Sequence, residues 1–162
     1  MFVADTTVHE RPSAVELSDI AIQSAEVARR LGHEPRVALL SYSNFGNPMW
    51  GSASHVRDAV ALLATRDLDF EYDGEMSVNA ALNPAVQALY PFSRLSGPAN
   101  VLIMPALHAA NISSQLLEEL GGGSVVGPLL IGLDKPVQIV GMDAGVSEIV
   151  NLAALAAHDA TR

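Results

Sequence analysis

The chain has 162 residues, a formal charge of −9, 49% hydrophobic residues against 5% aromatic, and no cysteine. The length suits one domain whose core is built from Ala, Val, Leu and Ile. The acidity argues against nucleic acid and membrane as partners, since both require a basic face. Lack of cysteine rules out a disulfide framework and a thiolate metal site. No apolar run approaches a membrane span and no signal-peptide profile opens the chain, so a cytoplasmic location is expected.

Phe2 to Ala4 reads as a strand. Ser13-Ala-Val-Glu16 is a capping box, with Ser13 as cap and Glu16 reaching back. Val15, Leu17, Ile20, Ala21, Ala25, Ala28 and Leu31 follow at roughly helical spacing, and Gly32 closes the helix. Arg36 to Ser41 is a strand running into a polar loop, Tyr42 to Ser54, and His55 to Ala64 is the next helix. Phe70 to Asp73 reads as a strand ahead of Gly74. Asn83-Pro84 gives a helix cap and a proline at the first helical position. Asn100 to Met104 is a strand, and Asn111 to Leu120 a helix closed by Gly121-Gly122-Gly123. Two more short apolar runs, Leu129 to Ile131 and Val137 to Val140, the latter reading as a short strand, precede a final helix over Ser147 to His158. Alternating strands and helices with short connections predict an α/β domain on a mostly parallel sheet. Ligands of such sheets sit beyond the carboxyl ends of the strands. Three loops fall there: Ser41 to Ser54, Pro105 to Asn111, and Gly141 to Ser147.

Several familiar signatures are missing. Lys135, the single lysine, follows no glycine-rich loop, and Ser147 in Gly145-Val-Ser-Glu-Ile149 lacks the second glycine of a nucleophile elbow. The five histidines have no metal-ligand spacing and read mostly as surface residues; no metal is expected. Ser41-Tyr-Ser-Asn-Phe-Gly-Asn47 is more informative, because its hydroxyls and amides can wrap a phosphate or carbonyl with little positive charge. The competing reading is a polar turn capping the sheet. Asp73-Gly-Glu75 places two carboxylates at a strand end, where a solvated turn is preferred over an acid–base pair. Asn111, just ahead of a helix, is either a cap or a ligand contact.

The strings Ala38-Leu-Leu-Ser-Tyr-Ser-Asn-Phe-Gly46, Asp73-Gly-Glu-Met76, Ala80-Ala-Leu82, Gly97-Pro-Ala-Asn-Val-Leu-Ile103, Ala109-Ala-Asn-Ile112, Gly127-Pro-Leu-Leu-Ile-Gly-Leu-Asp-Lys-Pro-Val137 and Glu148-Ile-Val-Asn151 occur in order. Together they resemble the phosphate acetyl/butyryl transferase family. The likeness is greatest to the phosphotransacetylase-like domain at the C-terminus of bacterial NADP-dependent malic enzymes. Ser41 to Gly46 and Tyr90-Pro-Phe-Ser-Arg94 carry the flavour of that branch. The resemblance implies a three-layer α/β/α fold of the isocitrate/isopropylmalate dehydrogenase type, with a mostly parallel (mixed) sheet, of which residues 1–162 form about the C-terminal half. It also implies a homodimer or larger homo-oligomer, and acetyl-CoA or CoA as ligand, with no covalent cofactor.

In active members the segment corresponding to residues 141–148 carries a serine, then an arginine, and ends in an aspartate. The serine is thought to position the thiol, the arginine to hold phosphate and the aspartate to take the thiol proton. Here those places hold Gly141, Met142 and Glu148. Phosphate and the developing oxyanion are both negative, so a fixed positive charge is needed, and methionine cannot supply it. The preferred reading is therefore an acyl-CoA-binding regulatory domain of a malic enzyme, contacting its ligand through Ser41, Ser43, Asn44 and Asn111. The first alternative is a transferase exchanging an acyl group between CoA and phosphate, with acetyl phosphate as product and Arg57, Arg94 or a partner chain replacing the missing arginine. The second is a domain that only holds larger chains together.

Overall fold

The computed structural model describes residues 1–48, 51–121, 125–142 and 144–160. They gather into two compact units, Met1–Ser114 and Gln115–Arg162.

The first unit is built on four strands, β1 (Phe2–Ala4), β2 (Arg36–Leu40), β3 (Glu71–Met76) and β4 (Val101–Ile103). Their order is β1-β4-β2-β3, and every ladder is parallel. β4, last in sequence, fills the place between β1 and β2, so all four carboxyl ends share one edge.

Alternation along β2 assigns residues to two faces. Val37 and Leu39 face one side, joined by Val101 and Ile103 of β4. That side is covered by α1 (Ala14–Arg30) and α2 (Ser54–Leu63), through Leu17, Ala21, Ala25 and Ala28 and through Val56, Ala59, Val60 and Leu63. The alanines keep α1 close to the sheet, while each fully buried leucine contributes about 1.5–3 kcal/mol. Ala38, Leu40, Leu102 and Met104 face the opposite side, with Met76, Ala80, Ala81, Leu95, Ala99 and Ala110. This makes the unit a three-layer α/β/α arrangement.

α1 starts as the capping box requires. The Glu16 carboxylate accepts from the Ser13 N–H at 2.7 Å, and Ser13 Oγ accepts from the Glu16 N–H at 3.3 Å. The Ser13 amide and hydroxyl together hold the Glu16 carboxyl below its ordinary range. At the other end Gly32 adopts φ +83°, a left-handed turn that glycine makes without steric cost.

Three expectations need correction. β3 does not stop at Asp73 but continues to Met76, so Asp73-Gly-Glu75 is buried sheet and not a solvated turn. Helix α5 (Leu107–Gly121) begins four residues before Asn111, because Ala110 already packs into the second core. Asn111 is thus neither ahead of the helix nor its cap; it lies exposed in the second turn. Leu129 to Ile131 and Val137 to Val140 form no strands. They are tied instead by Gln138, whose Oε1 accepts from the Leu130 N–H at 3.0 Å while its Nε2 donates to the Leu130 carbonyl at 3.4 Å. Two one-turn helices, α3 (Val78–Leu82) and α4 (Pro84–Gln87), follow β3. Ser77 caps the first and Asn83 the second, the latter with Pro84 at the first position as expected.

The second unit contains the C-terminal part of α5, from Gln115, and the last helix, α6 (Val146–Ala160), which starts one residue before the expected Ser147. Gly122 and Gly123 of the proposed glycine terminator lie outside the described residues.

Candidate functional site

Because the sheet is parallel, the segments leaving β1, β2, β3 and β4 emerge along one edge. There the chain turns through Asp5–His9, Ser41–Asn47, Ser77 and Pro105. Each is held by a different set of hydrogen bonds.

Directly after β1, the Asp5 carboxylate folds the chain around itself. It accepts the N–H groups of Thr7, Val8 and His9 at 2.8–2.9 Å, and its Oδ2 lies 2.7 Å from His9 Nδ1. Burial works to raise the Asp5 carboxyl. The amides of Thr7, Val8 and His9 and the His9 ring outweigh it and hold the group below its ordinary value. The sign of the linkage follows. A carboxyl whose folded-state value is depressed stabilises the fold above its unfolded value, about 3.9, and that stabilisation is lost as pH falls through the lower folded value. Asp5→Asn should therefore lower stability at neutral pH and flatten the acid limb of the stability–pH curve below about pH 4. Urea unfolding at a series of pH values tests this; an unchanged acid limb in the variant would refute it.

The Ser41–Asn47 loop continues β2 and closes on itself. Asn44 and Asn47 exchange backbone hydrogen bonds at 3.0 Å, and the Ser41 N–H donates to the Met76 carbonyl at 2.9 Å. Asn44 Oδ1 accepts from the Ser77 N–H at 2.8 Å, tying the loop to the start of α3. Phe45 has φ +50°, and its ring packs against Tyr90 and Phe92, with centroids 5.2 and 5.0 Å away. The two strings with the malic-enzyme flavour therefore touch each other.

Beneath this loop lies Glu75, which is 0% exposed. Its Oε1 accepts from Ser43 Oγ at 2.6 Å, the Gly46 N–H at 2.9 Å and Arg57 Nη1 at 3.1 Å. The Glu75 carbonyl accepts from the Phe45 N–H at 2.8 Å. Glu75 Oε2 is buried with no hydrogen-bond partner among the described residues. Arg57, in the first turn of α2, keeps 29% of its side chain exposed. His55, two residues earlier, places Nε2 3.1 Å from the Pro105 carbonyl.

The expected site residues sort as follows. Ser41, Ser43 and Asn44 come together in the loop, but Ser43 is fully buried and its hydroxyl points inward to Glu75. Ser41 and Asn44 stay half-buried. Gly141, Met142 and Glu148 belong to the second unit: Gly141 and Met142 are exposed, and Glu148 is half-buried in the first turn of α6, where a carboxylate suits the helix dipole. Of the two candidate replacement arginines, Arg57 reaches the loop's anchor. Arg94 stacks over Tyr72 near the start of β3, 5.4 Å from the ring centroid. Sequence reasoning passed over Glu75 as an anchor and His9 as a partner. The one available signal was His9 four residues after Asp5 at a strand end. Among the described residues no three His, Asp or Glu side chains group as a metal site would require.

The profile of the family described as phosphate acetyl/butaryl transferase matches residues 1–157. The chain belongs to that family. An NADP-dependent malic enzyme of Rhizobium meliloti is 57% identical over 160 residues, which make up 99% of this chain and 21% of that protein. A phosphate acetyltransferase of Paracoccus denitrificans is 40% identical over 159 residues, 97% of this chain and 50% of the relative. Among solved structures, the EutD phosphotransacetylase from Staphylococcus aureus matches with a TM-score of 0.92 at 32% identity. That match covers 98% of this chain and 49% of the other. The phosphate acetyl/butaryl transferase portion seen here thus spans about a fifth of the malic enzyme's length and about half of the acetyltransferase's.

Proposed function

We propose that residues 1–162 are the C-terminal portion of a phosphotransacetylase-like domain that binds acyl-CoA and regulates a malic enzyme without transferring the acyl group itself. The observation that carries this reading is the pair Gly141-Met142, standing where the resemblance places a serine and an arginine. Without that guanidinium, the negative charge building on the phosphoryl acceptor has no fixed partner at that position. The likeness to malic enzymes over almost the whole chain supports the regulatory half of the proposal. A domain that binds without turnover biases a two-state assembly through its differential affinity for the two states. In this reading Ser41 and Asn44 meet the ligand, Ser43 supports the loop from below, and Asn111 makes an outer contact. The working form is a cytoplasmic homodimer or larger homo-oligomer. No covalent cofactor, nucleic acid or membrane takes part.

The alternative is a phosphate acetyltransferase with an altered site, and two observations favour it: Glu148 keeps a carboxylate, and Arg57 stands partly exposed beside the loop's anchor. Two assays on the purified chain separate the readings. Titration calorimetry with acetyl-CoA should give a saturable heat, while acetyl-CoA with phosphate should yield no acetyl phosphate above background. Turnover well above background, abolished by Glu148→Gln, would establish the transferase. Absence of both heat and turnover would leave a purely structural role.

A further inference from the structure

Glu75 is an unusual occupant of its position. It lies within a parallel strand, fully buried, between the half-buried backbone of Gly74 and the buried Met76. A buried carboxylate is costly unless paired, and an apolar side chain of similar volume often serves stability as well or better. Its three donors all come from outside its own strand: Ser43 and Gly46 from the Ser41–Asn47 loop, Arg57 from α2. All three converge on one oxygen, so loop and helix are registered against a single atom. Its carbonyl holds the Phe45 N–H as well. Phe45 in turn is a non-glycine residue in the left-handed region, a conformation that persists where the surroundings over-determine it.

We propose that Glu75 is the positioning residue of the Ser41–Asn47 loop. It holds Ser41 and Asn44 in the single arrangement that meets the acyl-CoA, with Arg57 as its countercharge. The ligand half of this inference rests on the binding role proposed above; the loop half does not. Glu75 touches no ligand, so its effect passes through the loop.

The test uses the whole chain and two variants, Glu75→Gln, which keeps the shape but removes the charge facing Arg57, and Ser43→Ala, which removes one donor and leaves Glu75 in place. Amide hydrogen exchange at Phe45 and Gly46 should accelerate about tenfold in each, while Leu39 and Leu102 in the central strands keep their rates in Ser43→Ala. Acetyl-CoA affinity should fall by about tenfold in parallel, with no loss of the cooperative unfolding transition. Unchanged loop exchange in both variants overturns the proposal, as does a loosened loop with unaltered affinity. If the wild-type chain gives no saturable heat while the variants still loosen the loop, the ligand reading fails and the positioning of the loop by Glu75 stands.

Discussion

Gly74→Ala is expected to cost roughly 2–5 kcal/mol of unfolding free energy. A Cβ at Gly74 would lie 2.7 Å from the Leu39 carbonyl oxygen and 3.0 Å from Leu39 Cβ, with Val60 Cγ2 at 3.3 Å. The first two neighbours are fixed, because Leu39 pairs with β3 on one side and β4 on the other and cannot retreat. The backbone at Gly74 also has φ +155°, which a side chain rarely adopts. Gly32 provides the comparison: its φ is +83°, but among the described residues nothing lies within 4 Å of its added Cβ. Gly32→Ala should therefore cost only about 1–2 kcal/mol, the conformational part alone. Urea unfolding of both variants separates steric from dihedral strain, and equal losses would show that the contact with Leu39 is relieved by movement of β3.

The second large effect is expected at Asp73, which is 5% exposed. Its Oδ2 accepts from the Arg94 N–H at 2.7 Å and from Ser93 Oγ at 3.0 Å, while Oδ1 accepts from the Gly74 N–H at 2.9 Å. Alanine would leave these three donors without their acceptor in a site water barely reaches. The expected loss is about 3 kcal/mol, since each unsatisfied buried donor costs about 1–3 kcal/mol and some will find water as the segment loosens. Ser93→Ala removes one donor together with its share of the bond and should cost about 1 kcal/mol. The release should also show as faster tryptic cleavage after Arg94. A loss below about 1 kcal/mol for Asp73→Ala, with unchanged cleavage, would mean residues 93–94 are held by other contacts.

Much of the first unit was legible because local signals and periodicity agree there. Ser13 with Glu16, Asn83 with Pro84 and the apolar runs at 2–4, 36–40 and 101–103 each specify an element without help from distant residues. The end of β3 was not legible. Asp73-Gly-Glu75 sets two carboxylates around a glycine, a composition that reads as solvated turn. What makes it a strand is the approach of Leu39 to a residue without a side chain and donors 18 to 32 positions away in sequence. The start of α5 was missed for a related reason: Asn111 looks like a cap, whereas burial of Ala110 draws the helix back to Leu107. The candidate site divides the same way. The Ser41–Asn47 loop stood out from its polar run after an apolar strand. The inward turn of Ser43 did not, because a hydroxyl's direction depends on a partner no local pattern reveals.

The helices flanking β2 and those directly after β3 differ in length, with consequences for how the molecule breathes. α1 has 17 residues and α2 ten, whereas α3 has five and α4 four. Helices of one turn have little internal cooperativity, so the α3–α4 stretch should open at a smaller free-energy cost than the long pair behind it. The amide that begins this stretch, Ser77 N–H, is the one bound to Asn44 Oδ1. A guest that steadied Asn44 would quieten the α3–α4 stretch, carrying news of occupancy from the strand tips to a surface it never touches.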